Sequence, residues 1–313
     1  MTAVPDTGVD LPARLRRLEL AVGRRVFGRR DGRHPSLVAG PGVEPGEARP
    51  YEPGDDVRRM DWSILARTGE PPVRDAIQER ELDVAVLIDR SGSLDFGTAG
   101  WRKADLATSV ASAVAALAAL GGDRIGAVVA TADGVRVVPV RGGRRHLVGL
   151  VGTIVRSPLG GAADLPRAID GLHHLLRRRG LAIVVSDFIE PIDHWSAALA
   201  RLTRRSEVIA VEVIDPRELW LPDVGLLVIE DAESGRQRTI DTSDERFRLR
   251  LAEVAERRRA DNAAAIRRTG ATHLRLRTDA DWVGALGTCL ELRRRSRARG
   301  RHAGGYALSG EAR

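Results

Sequence analysis

From Leu82 onward the chain alternates between apolar runs and stretches with helical spacing. Leu82 to Ile88 is apolar at nearly every position and ends in Asp89, the pattern of a strand covered on both faces. Leu181–Ser186 and Glu207–Ile214 read the same way, and Thr272–Leu276 supplies a further strand. Trp101–Leu120, Arg144–Val155, Leu165–Arg178, His194–Thr203 and Ala280–Arg294 carry helical patterns. A long helix is expected from a cap at Ser243 to about Arg268, stopped by Gly270. Arg124–Thr131 and Val135–Val140 flank Ala132-Asp133-Gly134, a hairpin signal, and a second hairpin joins Leu226–Glu230 to Arg238–Ile240 around Ser234-Gly235. Buried strands alternating with helices predict an α/β fold: a doubly wound, mostly parallel sheet with helices on both faces.

The N-terminal part is different. Leu11, Leu15, Leu18, Val22 and Val26 form one stripe flanked by arginines, an amphipathic helix that either docks on the body or lies on a membrane surface. Residues 28–56 are rich in Gly, Pro and charge and read as irregular chain. Val57–Arg67 follows as a short helix opened by Asp55 or Asp56, and Val73–Gln78 as an extended lead into the core. Three parts result: an N-terminal extension over 1–80, an α/β domain over 81–294 and a disordered tail over 295–313.

Composition narrows the class. The chain has 313 residues, 43% of them hydrophobic, which is enough for a large core. No apolar run has the length of a membrane span, since Leu106–Leu120 is broken by Thr108 and Ser109 and reads as a buried helix. The N-terminus lacks the apolar stretch of a signal peptide, so a cytoplasmic location is expected. Cys289 is the sole cysteine, which excludes an internal disulfide and reads as a small core residue. The net charge of +7 comes from arginines spread along the chain and mixed with acids, with Lys103 as the single lysine. That is a compositional bias rather than a nucleic-acid footprint, and no nucleic-acid partner is expected.

The chemistry gathers at Asp89-Arg90-Ser91-Gly92-Ser93, directly after the first buried strand. In an open parallel sheet, ligands bind beyond the carboxyl ends of strands where the strand order reverses. Asp89, Ser91 and Ser93 offer three hard oxygen donors from one tight turn, suited to Mg²⁺ or Mn²⁺. Asp187 ends a second buried strand, and if the strands are neighbours the two carboxylates need a cation or a proton between them. The alternative is plain helix capping by both acids. A dinucleotide loop and a Gly-x-Ser-x-Gly elbow are both missing here. A metal-dependent, phosphatase-like hydrolase would need a base beside the metal, for which Asp164 and Asp95 are the candidates.

This pattern resembles the metal-ion-dependent adhesion site of von Willebrand factor A domains, whose Asp-x-Ser-x-Ser motif matches Asp89, Ser91 and Ser93 and whose later Asp matches Asp187. The family's usual Thr ligand falls at Ala163, followed by Asp164, so the resemblance implies weak metal binding. A second stretch, Arg49-Pro50-Tyr51-Glu52-Pro53-Gly54-Asp55-Asp56-Val57-Arg58-Arg59-Met60-Asp61-Trp62, resembles the signature of bacterial domain-of-unknown-function family 58. Pro216-Arg217-Glu218 and Leu221–Gly225 are similar to a later region of that family. The resemblance implies a von Willebrand factor A-like protein that works as an adaptor or co-chaperone of a MoxR-type AAA+ ATPase. Arg58, Arg59, Asp61 and Trp62 then form a candidate partner surface, against the simpler reading of a docked helix.

Overall fold

The computed structural model describes residues 48–51, 60, 62–69, 72–74, 82–230 and 235–304. The expected helix over 11–27, the caps Asp55 and Asp56, and the partner-surface residues Arg58, Arg59 and Asp61 lie outside the described residues. Near the N-terminus, β1 (Ala48–Pro50) pairs antiparallel with β2 (Pro72–Arg74), and α1 (Trp62–Thr68) lies between them in sequence. Trp62 opens that helix with its side chain exposed.

The main sheet contains β3 (Asp83–Asp89), β4 (Arg124–Thr131), β5 (Gly134–Arg141), β6 (Leu181–Ser186), β7 (Glu207–Ile214) and β10 (Thr272–Arg277). Their order is β10-β7-β6-β3-β4-β5, parallel throughout except for β5, which returns on β4 as the predicted hairpin. The chain leaves β3 toward β4 on one side and later places β6 on the other. The strand order therefore reverses at the carboxyl ends of β3 and β6, where a ligand crevice is expected.

Both faces of the sheet are covered, which explains the unbroken apolar runs. On one face Val84, Val86 and Ile88 pack with α2 (Lys103–Leu120), α3 (Arg144–Arg156) and α8 (Trp282–Gly304) through residues such as Leu106, Val110, Leu150 and Leu286. On the other face Ala85 and Leu87 pack with α4 (Leu165–Leu175), α5 (Ile192–Thr203) and α7 (Glu245–Arg268) through Ile169, Trp195, Leu199 and Ile266. Val86, Leu87 and Ile88 are each 0% exposed. Among the described residues one helix, α2, is long and apolar enough to cross a membrane; most of it is buried inside the fold, against the sheet.

Several element ends differ from expectation. The described helix over this stretch is α1, Trp62–Thr68, while the expected start at Val57 lies outside the described residues. Helix α2 starts at Lys103, leaving Trp101 outside to stack edge-on against Trp282 with centroids 6.2 Å apart. Helix α4 stops at Leu175, before the Arg177-Arg178-Arg179 run. The cap of α7 is Asp244, whose side chain accepts from the Arg246 and Phe247 N–H groups, and Ser243 instead bonds Asp241. The expected disordered tail from Arg295 overlaps α8, which runs on to Gly304 through arginine-rich sequence of good helix propensity. A short helix α6 (Pro216–Leu219) follows β7, and β8 (Leu226–Glu230) pairs with β9 (Gln237–Asp241) as the second hairpin.

Candidate functional site

Strand register assembles the site. Ile88 of β3 pairs with Val185 of β6, so the next residues, Asp89 and Ser186, end side by side. The Ser186 hydroxyl donates to Asp89 Oδ2 at 2.7 Å, and the Ser91 N–H donates to Asp89 Oδ1 at 2.8 Å. The Ser91 and Ser93 hydroxyls lie 3.1 Å apart, and Asp187 lies close enough for its charge to act on Asp89. Asp89, Ser91 and Asp187 are buried and Ser93 is half-buried. All four residues singled out from sequence therefore converge at the reversal of strand order.

The neighbouring loop is latched onto this turn. Gly92 N–H donates to the Gly161 carbonyl at 2.7 Å, and Gly160 N–H donates to the Arg90 carbonyl at 3.1 Å. Gly161 has φ +65°, and a Cβ there would meet Ala132 Cβ at 2.7 Å, so this close approach needs glycine. Ala163 follows on the same loop, half-buried, and offers a methyl where a ligand hydroxyl would be needed. Asp164 is engaged elsewhere, exposed and capping α4, with its Oδ1 accepting from the Arg167 N–H at 2.9 Å. Asp95 pairs with Arg102 at the surface. Helix capping does not account for Asp89 and Asp187, because the residues preceding α2 and α5 are Arg102 and Pro191.

Electrostatics at the site depends on a residue whose role the sequence pattern does not reveal. Lys103, the first residue of α2, is 0% exposed, and its Nζ lies 2.8 Å from Asp187 Oδ2 and 2.5 Å from Glu218 Oε1. Burial opposes the Asp187 charge, but Lys103 more than offsets it and holds that carboxyl below the usual range. Burial likewise lowers the Lys103 ammonium, and Asp187 and Glu218 together bring it above its ordinary value. Among the described residues no cation pairs with Asp89. Burial first, and then the Asp187 charge, push its pKa up to about 6.

From Glu218 the charges continue inward. Glu218 Oε2 accepts from Arg259 at 3.1 Å, and Arg259 also bonds Glu212, which His273 and Arg275 reach from β10. Asp215 opens α6 with a reciprocal cap to Glu218 and is buried. It accepts from the Thr98 N–H and hydroxyl, the Arg217 N–H and the Thr278 hydroxyl. The sequence signal for this network is the Asp215-Pro216-Arg217-Glu218 run together with the solitary lysine.

The donor set fits a hydrated divalent ion. Two hydroxyls 3.1 Å apart match the edge of about 3.0 Å expected between ligands of an octahedral Mg²⁺. The Asp89 carboxyl, which no cation among the described residues compensates, is the kind of group a cation satisfies. Asp89, Ser91 and Ser93 would hold the ion, with Asp187 contributing mainly charge because its Oδ2 is engaged by Lys103. Among the described residues there is no cluster of three or more His, Cys, Asp or Glu, so any such site is poor in protein ligands.

Fold and site together define a von Willebrand factor A-like α/β domain: a central, mostly parallel sheet with helices on both faces and an Asp-x-Ser-x-Ser turn where the strand order reverses. The chain belongs to the family described as protein of unknown function DUF58, whose model matches residues 47–261. It is 46% identical over 290 residues to the uncharacterized protein Rv1480 of Mycobacterium tuberculosis, a match covering 91% of this chain and 90% of that one. Among solved structures, an aerotolerance-related membrane protein from Bacteroides fragilis is similar with a TM-score of 0.48 and 13% identity, over 69% of this chain and 100% of that one. The conserved hypothetical protein BatB from Bacteroides thetaiotaomicron is similar with a TM-score of 0.44 and 15% identity, over 70% and 98%.

Proposed function

We propose that this protein is a non-catalytic protein-interaction module that docks a partner at the carboxyl ends of β3 and β6. The observation that carries this reading is the way the site's polar groups are already committed to one another. Ser91 faces Ser93, Asp187 faces Lys103, Asp164 caps a helix and Asp95 pairs with Arg102. Hydrolysis needs a nucleophile or water next to an available base, and the candidate bases are engaged elsewhere. A crevice lined by hydroxyls and acids suits reversible recognition instead, with specificity set by the surrounding loops.

The partner proposed is a MoxR-type AAA+ ATPase, on the strength of the family resemblance. When bound, a divalent ion would supply an open coordination position for an acidic side chain of the partner. The net charge of +7 favours encounter with an acidic surface, most strongly at low salt. A cytoplasmic location accords with this role.

Capture from native lysate on the immobilised full chain, with and without EDTA and with Asp89→Ala beside the wild type, tests the proposal. Recovery of an AAA+ ATPase that weakens with EDTA and with Asp89→Ala is the expected result. Recovery of no ATPase in any arm overturns the adaptor role. Equal recovery with and without EDTA keeps the partner and removes the metal from its recognition.

A further inference from the structure

Of the 50 basic side chains in this protein, 49 are arginine, and the single lysine is the one buried against the candidate site. Arginine and lysine differ in shape. Guanidinium is a planar fork, whereas ammonium is a compact point charge with three donors. Between Asp187 Oδ2 at 2.8 Å and Glu218 Oε1 at 2.5 Å there is a place for a compact cation. Glu218 is itself fixed from behind by Arg259 and by the Asp215 N–H at 3.1 Å each. The Lys103 ammonium is thus positioned by two carboxylates whose own positions are set by other elements. One of those carboxylates, Asp187, belongs to the candidate metal cluster.

We infer that Lys103 is a resident counter-cation of the Asp89–Asp187 cluster, neutralising Asp187 so that the site closes without a divalent ion and holds one only weakly. The inference rests on reading the cluster as a metal-capable docking site, and it deepens that reading by naming the residue that sets metal affinity. A fixed positive charge in contact with one carboxylate of the cluster repels a second cation, and in a water-poor crevice that repulsion is weakly screened. Lys103 also removes the need for metal in folding. Without it, the buried Asp187 carboxylate would lose its counter-charge while still beside Asp89 and Glu218, a strongly unfavourable arrangement for a buried acid. Lys103 is therefore a positioning residue, acting on the site through Asp187.

The test compares the full-length wild type with Lys103→Met and with Lys103→Met/Asp187→Asn, using Mn²⁺ titration calorimetry and thermal melting with and without Mg²⁺. Lys103→Met should melt lower than wild type in EDTA, regain stability in Mg²⁺, and bind Mn²⁺ at least about tenfold more tightly. The double variant carries the same net charge at the cluster as wild type, so it should recover stability in EDTA and return to a weak, wild-type-like response to Mg²⁺. A Lys103→Met protein that binds Mn²⁺ no more tightly than wild type would overturn the inference. A second measurement needs no variant. Lysine labelled with ¹⁵N gives one side-chain Nζ signal in this protein, and Mg²⁺ should shift it along the calorimetric binding curve. A Nζ signal that stays fixed while Mg²⁺ saturates the protein would likewise overturn it. Neither measurement involves the ATPase, so failure here is distinguishable from failure of the adaptor role.

Discussion

Asp89 should be a destabilising residue in the metal-free protein near neutral pH. Its carboxyl is buried at the end of β3, beside the Asp187 charge, and its pKa is raised from 3.8 to about 6. A raised acid pKa means that the folded state binds the proton more tightly than the unfolded chain does. Stability from this group is therefore greatest at low pH and falls as pH rises through the window from about 4 to about 6. Above that window, the rise from 3.8 to about 6 corresponds to a cost of about 3 kcal/mol for the charged form. Asp89→Asn removes the charge and keeps an oxygen to accept from the Ser91 N–H, while the Ser186 hydroxyl must turn from donor to acceptor. Reversing that hydrogen bond, onto an oxygen that already accepts from the Phe188 N–H, gives back about 1 kcal/mol. The expected net gain is about 1–2 kcal/mol for Asp89→Asn at neutral pH in EDTA, shrinking to nothing or reversing near pH 4. Urea unfolding of both proteins across this pH range, in EDTA, measures the difference directly. The difference between the two proteins matters, because it cancels the other titrating groups they share. An Asp89→Asn protein less stable than wild type at neutral pH in EDTA, or a difference that does not change with pH, would refute the reasoning. Millimolar Mg²⁺ should narrow the gap by stabilising only the wild type.

Other outcomes follow from the same structure. Val86→Asp places a charge in the 0% exposed centre of β3, at a cost of several kcal/mol comparable to the whole domain's stability, so circular dichroism should report an unfolded or aggregated chain. Asp215→Ala strands four donors that now converge on one carboxylate and should lower the urea midpoint by the equivalent of about 3 kcal/mol or more. Ala163→Thr restores a hydroxyl on the loop latched to the Ser91 turn and should tighten Mn²⁺ binding in calorimetry, whereas unchanged affinity would place residue 163 outside the ion's reach. A panel of phosphoesters with Mg²⁺ should show no turnover above background, and turnover abolished by Asp89→Ala would make the protein a hydrolase.

Most of the sheet is legible in the sequence, because a strand buried on both faces must be apolar at successive positions, and few other elements produce that run. Leu82–Ile88, Leu181–Ser186 and Glu207–Ile214 each fall within a residue of β3, β6 and β7. The Asp89, Ser91 and Ser93 turn is legible for a related reason: oxygen donors at spacings of two and four, directly after such a strand, are a local pattern. That Asp187 joins them depends on β6 lying beside β3. The chain could only suggest this, and the register Ile88 to Val185 decides it. Helix ends are less visible, since Asp244 and Ser243 are both good caps and only the backbone path chooses between them. Least visible is the charge network. Lys103, Asp187, Glu218, Arg259 and Glu212 are spread over more than 150 positions, and nothing in their spacing announces that they touch. Local sequence determines periodicity and turn chemistry because those depend on neighbours a few residues apart. Charge compensation in a core depends on which distant side chains share the same low-dielectric volume, and only the tertiary structure brought this lysine to those acids.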